Sequence, residues 1–209
     1  MPGRDLFAFF DLGMVLVEFE HQRAVDQLAE LAGRPPELVR QIAFDSGLED
    51  RFETGLLSEQ QYCQQINSAL ETSLENEDIL EAVSSIFTLN EPILKVLELL
   101  RSEAIPMGIL SNTCSAHWNW IAKQQWPVPG DWFEFAILSF EVGSMKPDSG
   151  IYDASEKRAG RSGAKLFFTD DRSENLEAAN QRGWTTHFYD SAQKTEGVMR
   201  AVREWLERE

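Results

Sequence analysis

The sequence predicts an α/β protein: a doubly wound, Rossmann-like parallel sheet with an all-helical insert behind its first strand. Three observations predict it. Five short apolar runs read as buried strands. Helical periodicities separate the later runs, and alternation of strand and helix is the signature of a parallel sheet. Residues 18–88 show helical periodicity and a charge of their own.

Taken in order, Leu6–Phe10 is the first strand, apolar throughout and stopped by Asp11. In the insert, Val25, Leu28, Ala29 and Ala32 form a helical stripe closed by Gly33. Pro35-Pro36 opens a second helix carrying Leu38 and Ile42. Ser58 with Gln61 is a capping box ahead of Tyr62, Ile66 and Ala69. Ile79, Val83, Ile86 and Phe87 complete the set, and no strand is expected between residues 18 and 88. Beyond it, Asn90-Glu91-Pro92 caps and opens a helix with Ile93, Val96, Leu97 and Leu100 on one face. Strands follow at Pro106–Leu110, Phe135–Leu138, Leu166–Thr169 and Thr185–Phe188. Helices are expected over 113–124, over 147–159 starting at Pro147 beside Asp148, and from a capping Ser173 to Gly183. The division that results is an α/β core of residues 1–17 and 89–209 and a helical cap of residues 18–88.

The chain has 209 residues, 43% of them hydrophobic and 26% charged, a composition that is globular rather than disordered. Its 35 acidic and 19 basic residues give a net charge of −16, which argues against binding nucleic acid or an anionic membrane. Residues 18–88 hold 15 acids against four arginines, net −11, leaving −5 for the remainder. Cys63 and Cys114 form no disulfide framework and no metal-ligand spacing. The opening MPGRDLFAFF does not read as a signal peptide and no apolar run is long enough for a membrane span, so a cytoplasmic setting is expected. Nothing in the sequence specifies an oligomeric state.

In open parallel sheets, sites lie beyond the carboxyl ends of the strands. The groups found there are Asp11 with Leu12-Gly13, then Ser111-Asn112-Thr113, then Lys146, then Asp170-Asp171 with Asn175 beyond. Any one of them alone is ordinarily a turn or cap residue. Three carboxylates on one rim repel one another unless a cation sits among them, and oxygen ligands suit Mg²⁺. Ser111, the amides after it and Lys146 add what a dianion needs.

This order resembles the haloacid-dehalogenase-like hydrolase superfamily over essentially the whole chain. The carrying segments are LFAFFDLGMVLVE, IPMGILSNT, GSMKPDSGIY and LFFTDDRSENLEAA, with a helical cap inserted after the first. The DLGxVLVE opening and short cap look most like a branch of small sugar-phosphate phosphatases that includes glucose-1-phosphate phosphatases. The resemblance implies a Mg²⁺-dependent phosphatase of a small phosphorylated metabolite, a sugar phosphate being the narrower expectation. It implies Asp11 as nucleophile, forming an aspartyl-phosphate. It places the metal on Asp11, the Gly13 carbonyl and Asp171, with Asp170 behind them. Ser111, Asn112 and Lys146 would hold the transferring oxygens, Lys146 also assisting catalysis.

One position departs from the superfamily pattern. Most of its phosphatases carry a general acid two residues after the nucleophile; here that residue is Gly13, which moves no proton. Acid–base help is worth about 10²–10⁴ in rate, so a good leaving group such as a sugar's anomeric oxygen suffers least. Glu18 and His21 are the nearest titratable replacements in sequence. Two other readings stay open: a 2-haloacid dehalogenase, which needs no metal, and an inactive relative that binds a ligand or protein. Trp118, Trp120, Trp126 and Trp132 are expected to pack the core. His117 and His187 lack a partner pattern and are expected to be structural, satisfied or exposed, and Cys114 has no nucleophile pattern. The segment Phe44–Ser58, with its glycines, acids and Arg51, is where substrate specificity is expected.

Overall fold

The computed structural model describes residues 5–190 and 194–208. In chain order they form β1 (Phe7–Phe10), β2 (Val17–Phe19), α1 (His21–Ala32), α2 (Pro36–Ala43), α3 (Leu48–Glu53), α4 (Glu59–Leu70), α5 (Asn76–Ser84) and β3 (Phe87–Leu89). There follow α6 (Leu94–Ser102), β4 (Met107–Ser111), α7 (Ser115–Ala122), β5 (Phe135–Leu138), α8 (Ser139–Val142) and α9 (Ser149–Ala159). The last elements are β6 (Leu166–Asp170), α10 (Ser173–Gln181), β7 (Thr185–Phe188) and α11 (Lys194–Arg208).

The five expected strands pair in the order β5-β4-β1-β6-β7, all parallel. The inner strands β1, β4 and β6 are buried along their full length, because helices cover both faces of the sheet. Side chains alternate between those faces. Phe7, Phe9, Leu110 and Phe168 join Tyr152 and Trp184 on one side. Ala8, Phe10, Ile109 and Phe167 join Val202 and Trp205 on the other. Gly108 leaves room for the Phe7 and Phe9 rings, which a Cβ there would meet at 2.9 Å.

The chain leaves central β1 for β4 and β5 on one side, then crosses to β6 and β7 on the other. That reversal opens a crevice beyond the carboxyl end of β1. The helices α1–α5 have their own apolar cluster, centred on Leu28, Phe52, Tyr62 and Ile66, with Cys114 and Ala116 contributed from beyond the insert.

Several boundaries differ from the sequence expectation. Strand occurs at both ends of the 18–88 insert: β2 pairs antiparallel with β3, Val17 opposite Leu89 and Phe19 opposite Phe87. Each strand has three residues, too few to show a period of two, and their partners lie about 70 positions apart in sequence. Pro147 does not begin a helix; α9 starts at Ser149 with Asp148 as its N-cap. Ser173 is the first residue of α10 rather than its cap, Arg172 holding that place. The helix expected over 113–124 is α7, Ser115–Ala122. Asn90 does not cap: its side-chain amide donates to Val15 O and Tyr189 Oη, both at 2.7 Å, pinning the chain where it leaves the insert. Of Leu38 and Ile42, Leu38 faces solvent, and α2 packs through Val39 and Ala43.

Candidate active site

Asp11 follows β1 directly, and its N–H donates to Thr169 O at 3.0 Å, extending the ladder by one residue. The β1–β6 register sets Phe10 opposite Thr169, so Asp11 and Asp170 emerge level on neighbouring strands. Carboxylate oxygens of Asp11, Asp170 and Asp171 come within 4.8 Å of one another. Such a trio needs positive charge, and Lys146 supplies the first of it. Its ammonium lies 2.8 Å from Asp11 Oδ1 and 2.7 Å from Asp170 Oδ2, and donates to Leu110 O at 3.0 Å. Burial works against this ammonium, yet Asp11 and Asp170 outweigh it and hold its pKa above the ordinary lysine value. Burial pushes Asp11 up, Lys146 pulls it back, and Asp170 adds to the rise. Asp171, half-buried, is raised by burial and by Asp170.

Asp170 is wholly buried and fully partnered. Besides Lys146 it accepts from Arg172 N at 2.8 Å and Asn175 Nδ2 at 3.0 Å. It therefore anchors the lysine and the start of α10 and does not face the cleft. Asn112 is engaged elsewhere than expected: its Nδ2 donates to Lys146 O at 2.9 Å and its Oδ1 accepts from Lys146 N at 2.7 Å. The Asn112 side chain is thereby held against the Lys146 main chain at the edge of the cleft. The Thr113 N–H is taken by Ser139 Oγ at 2.9 Å.

These strand ends form the floor of a cleft of about 230 Å³, which Asp11, Gly13, Asn112, Lys146, Asp171 and Asn175 all line. Ser111, almost fully buried, lies on a smaller adjoining cavity. The cleft thus gathers most of the residues the sequence singles out, with Asp170 beneath them. Opposite stand groups from the insert that the sequence did not identify one by one: Glu49, Asp50 and Glu53 of α3. They belong to the stretch expected to set specificity, but its Arg51 points away and donates to Gln65 Oε1. Burial pushes Glu49 up to about 8, with Glu53 and Asp50 adding to it. Burial likewise pushes Glu53 up to about 7, Asp50 adding and Lys146 opposing. His21 also lines the cleft, with Nε2 3.8 Å from Glu49 Oε1, whereas Glu18 does not line it. The short helix α3, between Gly47 and Gly55, is too brief for periodicity to reveal which face it presents.

The other flagged residues pack. The four tryptophans lie against the main apolar cluster. Cys63 and Cys114 are buried and free, and burial pushes the Cys114 thiol well up, which leaves it unreactive. His117 is buried edge-on to Phe87, and burial pushes it down to about 4. His187 is half-buried on β7.

A donor set made only of oxygens, with the Asp11 and Asp171 carboxylates lining the cleft beside Lys146, fits a hard divalent cation. Among the described residues no helix is long and apolar enough to cross a membrane.

Residues 8–183 match the haloacid dehalogenase-like hydrolase family. A curated relative, the D-ribitol-5-phosphate phosphatase of Bacteroides thetaiotaomicron, is 24% identical over 183 residues, covering 85% of this chain and 88% of the relative. Among solved structures, a HAD family enzyme of Bacteroides thetaiotaomicron in complex with magnesium and inorganic phosphate superposes with a TM-score of 0.83 at 24% identity, covering 93% of this chain and 99% of that one. A HAD-like family hydrolase of Porphyromonas gingivalis superposes with a TM-score of 0.79 at 19% identity over 98% of both chains. With the family matched from the first strand to the last inter-strand turn, this chain belongs to the haloacid dehalogenase-like hydrolases.

Proposed function

We propose that the protein is a Mg²⁺-dependent phosphatase acting on a small phosphorylated metabolite, with a sugar or polyol phosphate as the favoured class. The observation that carries this reading is the buried Asp11–Lys146 pair, 2.8 Å apart, at the floor of a cleft that Asp171 also lines. A nucleophilic carboxylate, a fixed ammonium and a free acidic neighbour are what attack on a phosphate ester needs. The relative named for D-ribitol 5-phosphate supports the substrate class. A cleft of about 230 Å³ suits a metabolite rather than a protein or nucleic acid.

In this reading Asp11 attacks phosphorus in line and becomes an aspartyl-phosphate, which water then hydrolyses. Lys146 neutralises the transferring oxygens while Asp170 and the Asn112 side chain hold it in place. Ser111 and the Asn112 main chain approach the same oxygens from the end of β4. Asp11, Asp171 and the Gly13 carbonyl would hold Mg²⁺, which supplies charge neutralisation at the phosphate when bound. The insert of residues 18–88 serves as the cap, with α3 facing the substrate's leaving group.

Asp11→Asn tests the reading on 4-nitrophenyl phosphate with Mg²⁺, followed by a panel including D-ribitol 5-phosphate and sugar 1-phosphates. Loss of turnover with the fold retained is expected; full activity of the variant ends the proposal. Dehalogenation is the weaker reading, since carbon chemistry gives the Asp171 carboxylate no task; activity persisting in excess chelator would revive it.

A further inference from the structure

Position 13 is closed to a side chain as well as lacking one. A Cβ on Gly13 would lie 2.9 Å from Phe19 Cε1, so the Phe19 ring fills the place where a side chain there would begin. Against that ring, edge-on with centroids 5.0 Å apart, stands His21, the first residue of α1. Behind His21, 3.8 Å from its Nε2, is the Glu49 carboxyl of α3. Gly13, His21 and Glu49 line the same cleft as Asp11. The imidazole is held on a third side by Phe44, centroid to centroid 5.3 Å.

From this we infer that His21 is the acid–base residue of the hydrolysis, serving the leaving-group oxygen, with Glu49 as the positioning residue and proton store behind it. The inference rests on the phosphatase reading. As the bond between phosphorus and the leaving oxygen breaks, that oxygen takes the ring N–H proton while Nε2 takes the Glu49 carboxyl proton. The electron pair of the broken bond ends as an O–H bond. In the second half-reaction water attacks the phosphorus of the Asp11 aspartyl-phosphate, its proton passes to the ring, and Nε2 returns its proton to Glu49. Ester and water become alcohol and phosphate, with no further reactant.

The surroundings support those proton positions. Burial lowers the His21 pKa, with Arg40 of α2 adding to it, so the ring is neutral at neutral pH. Burial, Glu53 and Asp50 push Glu49 up to about 8, so it holds its proton there. Tyr62 of α4 and Cys114 before α7 also face Glu49, both neutral, and His117 of α7 faces His21, neutral as well. The 3.8 Å separation is a length that a bound ester can shorten, since catalytic hydrogen bonds often tighten only in the complex.

The test compares kcat/KM for phenyl phosphate and 4-nitrophenyl phosphate, with Mg²⁺, in the unaltered protein, His21→Gln and Glu49→Gln. A poor leaving group needs the proton and a good one does not. His21→Gln is expected to lose about 10²-fold on phenyl phosphate and less than about tenfold on 4-nitrophenyl phosphate. Glu49→Gln should show the same imbalance in smaller measure and lose the fall in rate above pH 8. Equal losses on both esters, or no loss on phenyl phosphate, overturn the assignment. Should His21→Gln fail to fold, the Glu49→Gln ratio decides by the same criterion. If the unaltered protein hydrolyses neither ester, the phosphatase reading falls and the relay with it; a relay failure alone leaves wild-type turnover intact.

Discussion

The side-chain amide of Asn112 grips Lys146 by both ends of its own main-chain unit, donating to Lys146 O at 2.9 Å and accepting from Lys146 N at 2.7 Å. The two residues are 34 positions apart, on the end of β4 and in the turn before α9. This double contact aims the lysine stem, so that its ammonium reaches both Asp11 and Asp170. Asn112→Ala removes both bonds and leaves two Lys146 main-chain groups to find other partners. A loss of roughly 1–3 kcal/mol in urea unfolding is expected, together with a fall in kcat larger than any change in KM. Unchanged kcat would show that Lys146 is aimed by something else.

Lys146→Met makes the complementary test. The ammonium separates two buried carboxylates, and removing it leaves both without their shared cation. Breaking a buried pair in this way typically costs about 3–5 kcal/mol. Turnover should vanish, and Mg²⁺ should recover part of the lost melting temperature without recovering activity. Lys146→Arg is expected to be inactive as well, because a planar fork does not fit a site shaped for a point charge. Activity within tenfold of wild type in the Arg variant would contradict that fit.

The helical insert meets the segment after β5 at a seam where a glycine is required. Gly55 has φ +75°, and a Cβ there would overlap the Phe140 carbonyl oxygen, a backbone atom with nowhere to go. Next to it Ser139 Oγ donates to Glu53 O at 2.6 Å, and Thr54 Oγ1, whose proton goes to Asp50 O, lies 3.3 Å from Met145 Sδ. Gly55→Ala is expected to lower stability by about 1–3 kcal/mol and to lift α3 off the cleft. KM for the preferred substrate should then rise while Mg²⁺ affinity, measured by calorimetry, stays near wild type.

What the sequence made legible follows from distance along the chain. The five parallel strands are continuous apolar runs; Asp11, Ser111 and the Asp170-Asp171 pair sit at the ends of three of them, and Lys146 lies beyond a fourth in the turn before α9, so these residues are readable in place. The Asn112–Lys146 clamp, the β2–β3 pairing and the approach of Glu49 to His21 join residues 28 to about 70 positions apart, with no local pattern to announce them. The charge of the insert is a related case. By sequence alone, 15 acids between residues 18 and 88 seem hostile to a phosphate ester. In the structure, Glu49 and Glu53 face the cleft with pKa values pushed to about 8 and 7, so at neutral pH Glu49 is largely and Glu53 about half protonated, which lessens the negative charge the insert presents to the cleft.

Gly13 and Phe19 should behave as a coupled pair. Gly13→Ala places a methyl group 2.9 Å from Phe19 Cε1, and Phe19 is itself wedged between His21 and Phe87. The ring therefore cannot swing aside freely, and a cost of about 1–3 kcal/mol is expected. Phe19→Ala opens the space at a cost of its own. Combined, the two should cost less than the sum of the single changes, with a coupling of at least about 0.5 kcal/mol in denaturant titrations. Strict additivity would mean that Phe19 does not guard position 13.

The raised carboxyls also set the pH dependence of stability. Glu49 and Glu53 have an ordinary pKa near 4.5, raised in the fold to about 8 and about 7. Between those values the unfolded chain has released protons that the folded chain still holds. Stability is therefore full below about pH 4.5 as far as these two groups are concerned, and is progressively lost as pH rises through 7 and 8. The usual loss from other carboxylates at acid pH runs the opposite way, so the melting temperature without metal should peak on the acid side of neutrality. Glu49→Gln and Glu53→Gln remove the ionisable group and should flatten the alkaline limb between pH 6 and 9, the double variant by on the order of a few kcal/mol at pH 9. Thermal melts in chelator across that range measure the slope directly. A limb as steep in the double variant as in the parent would place the responsible protons elsewhere, with Asp11 next to be examined, because its carboxyl is raised in the same direction.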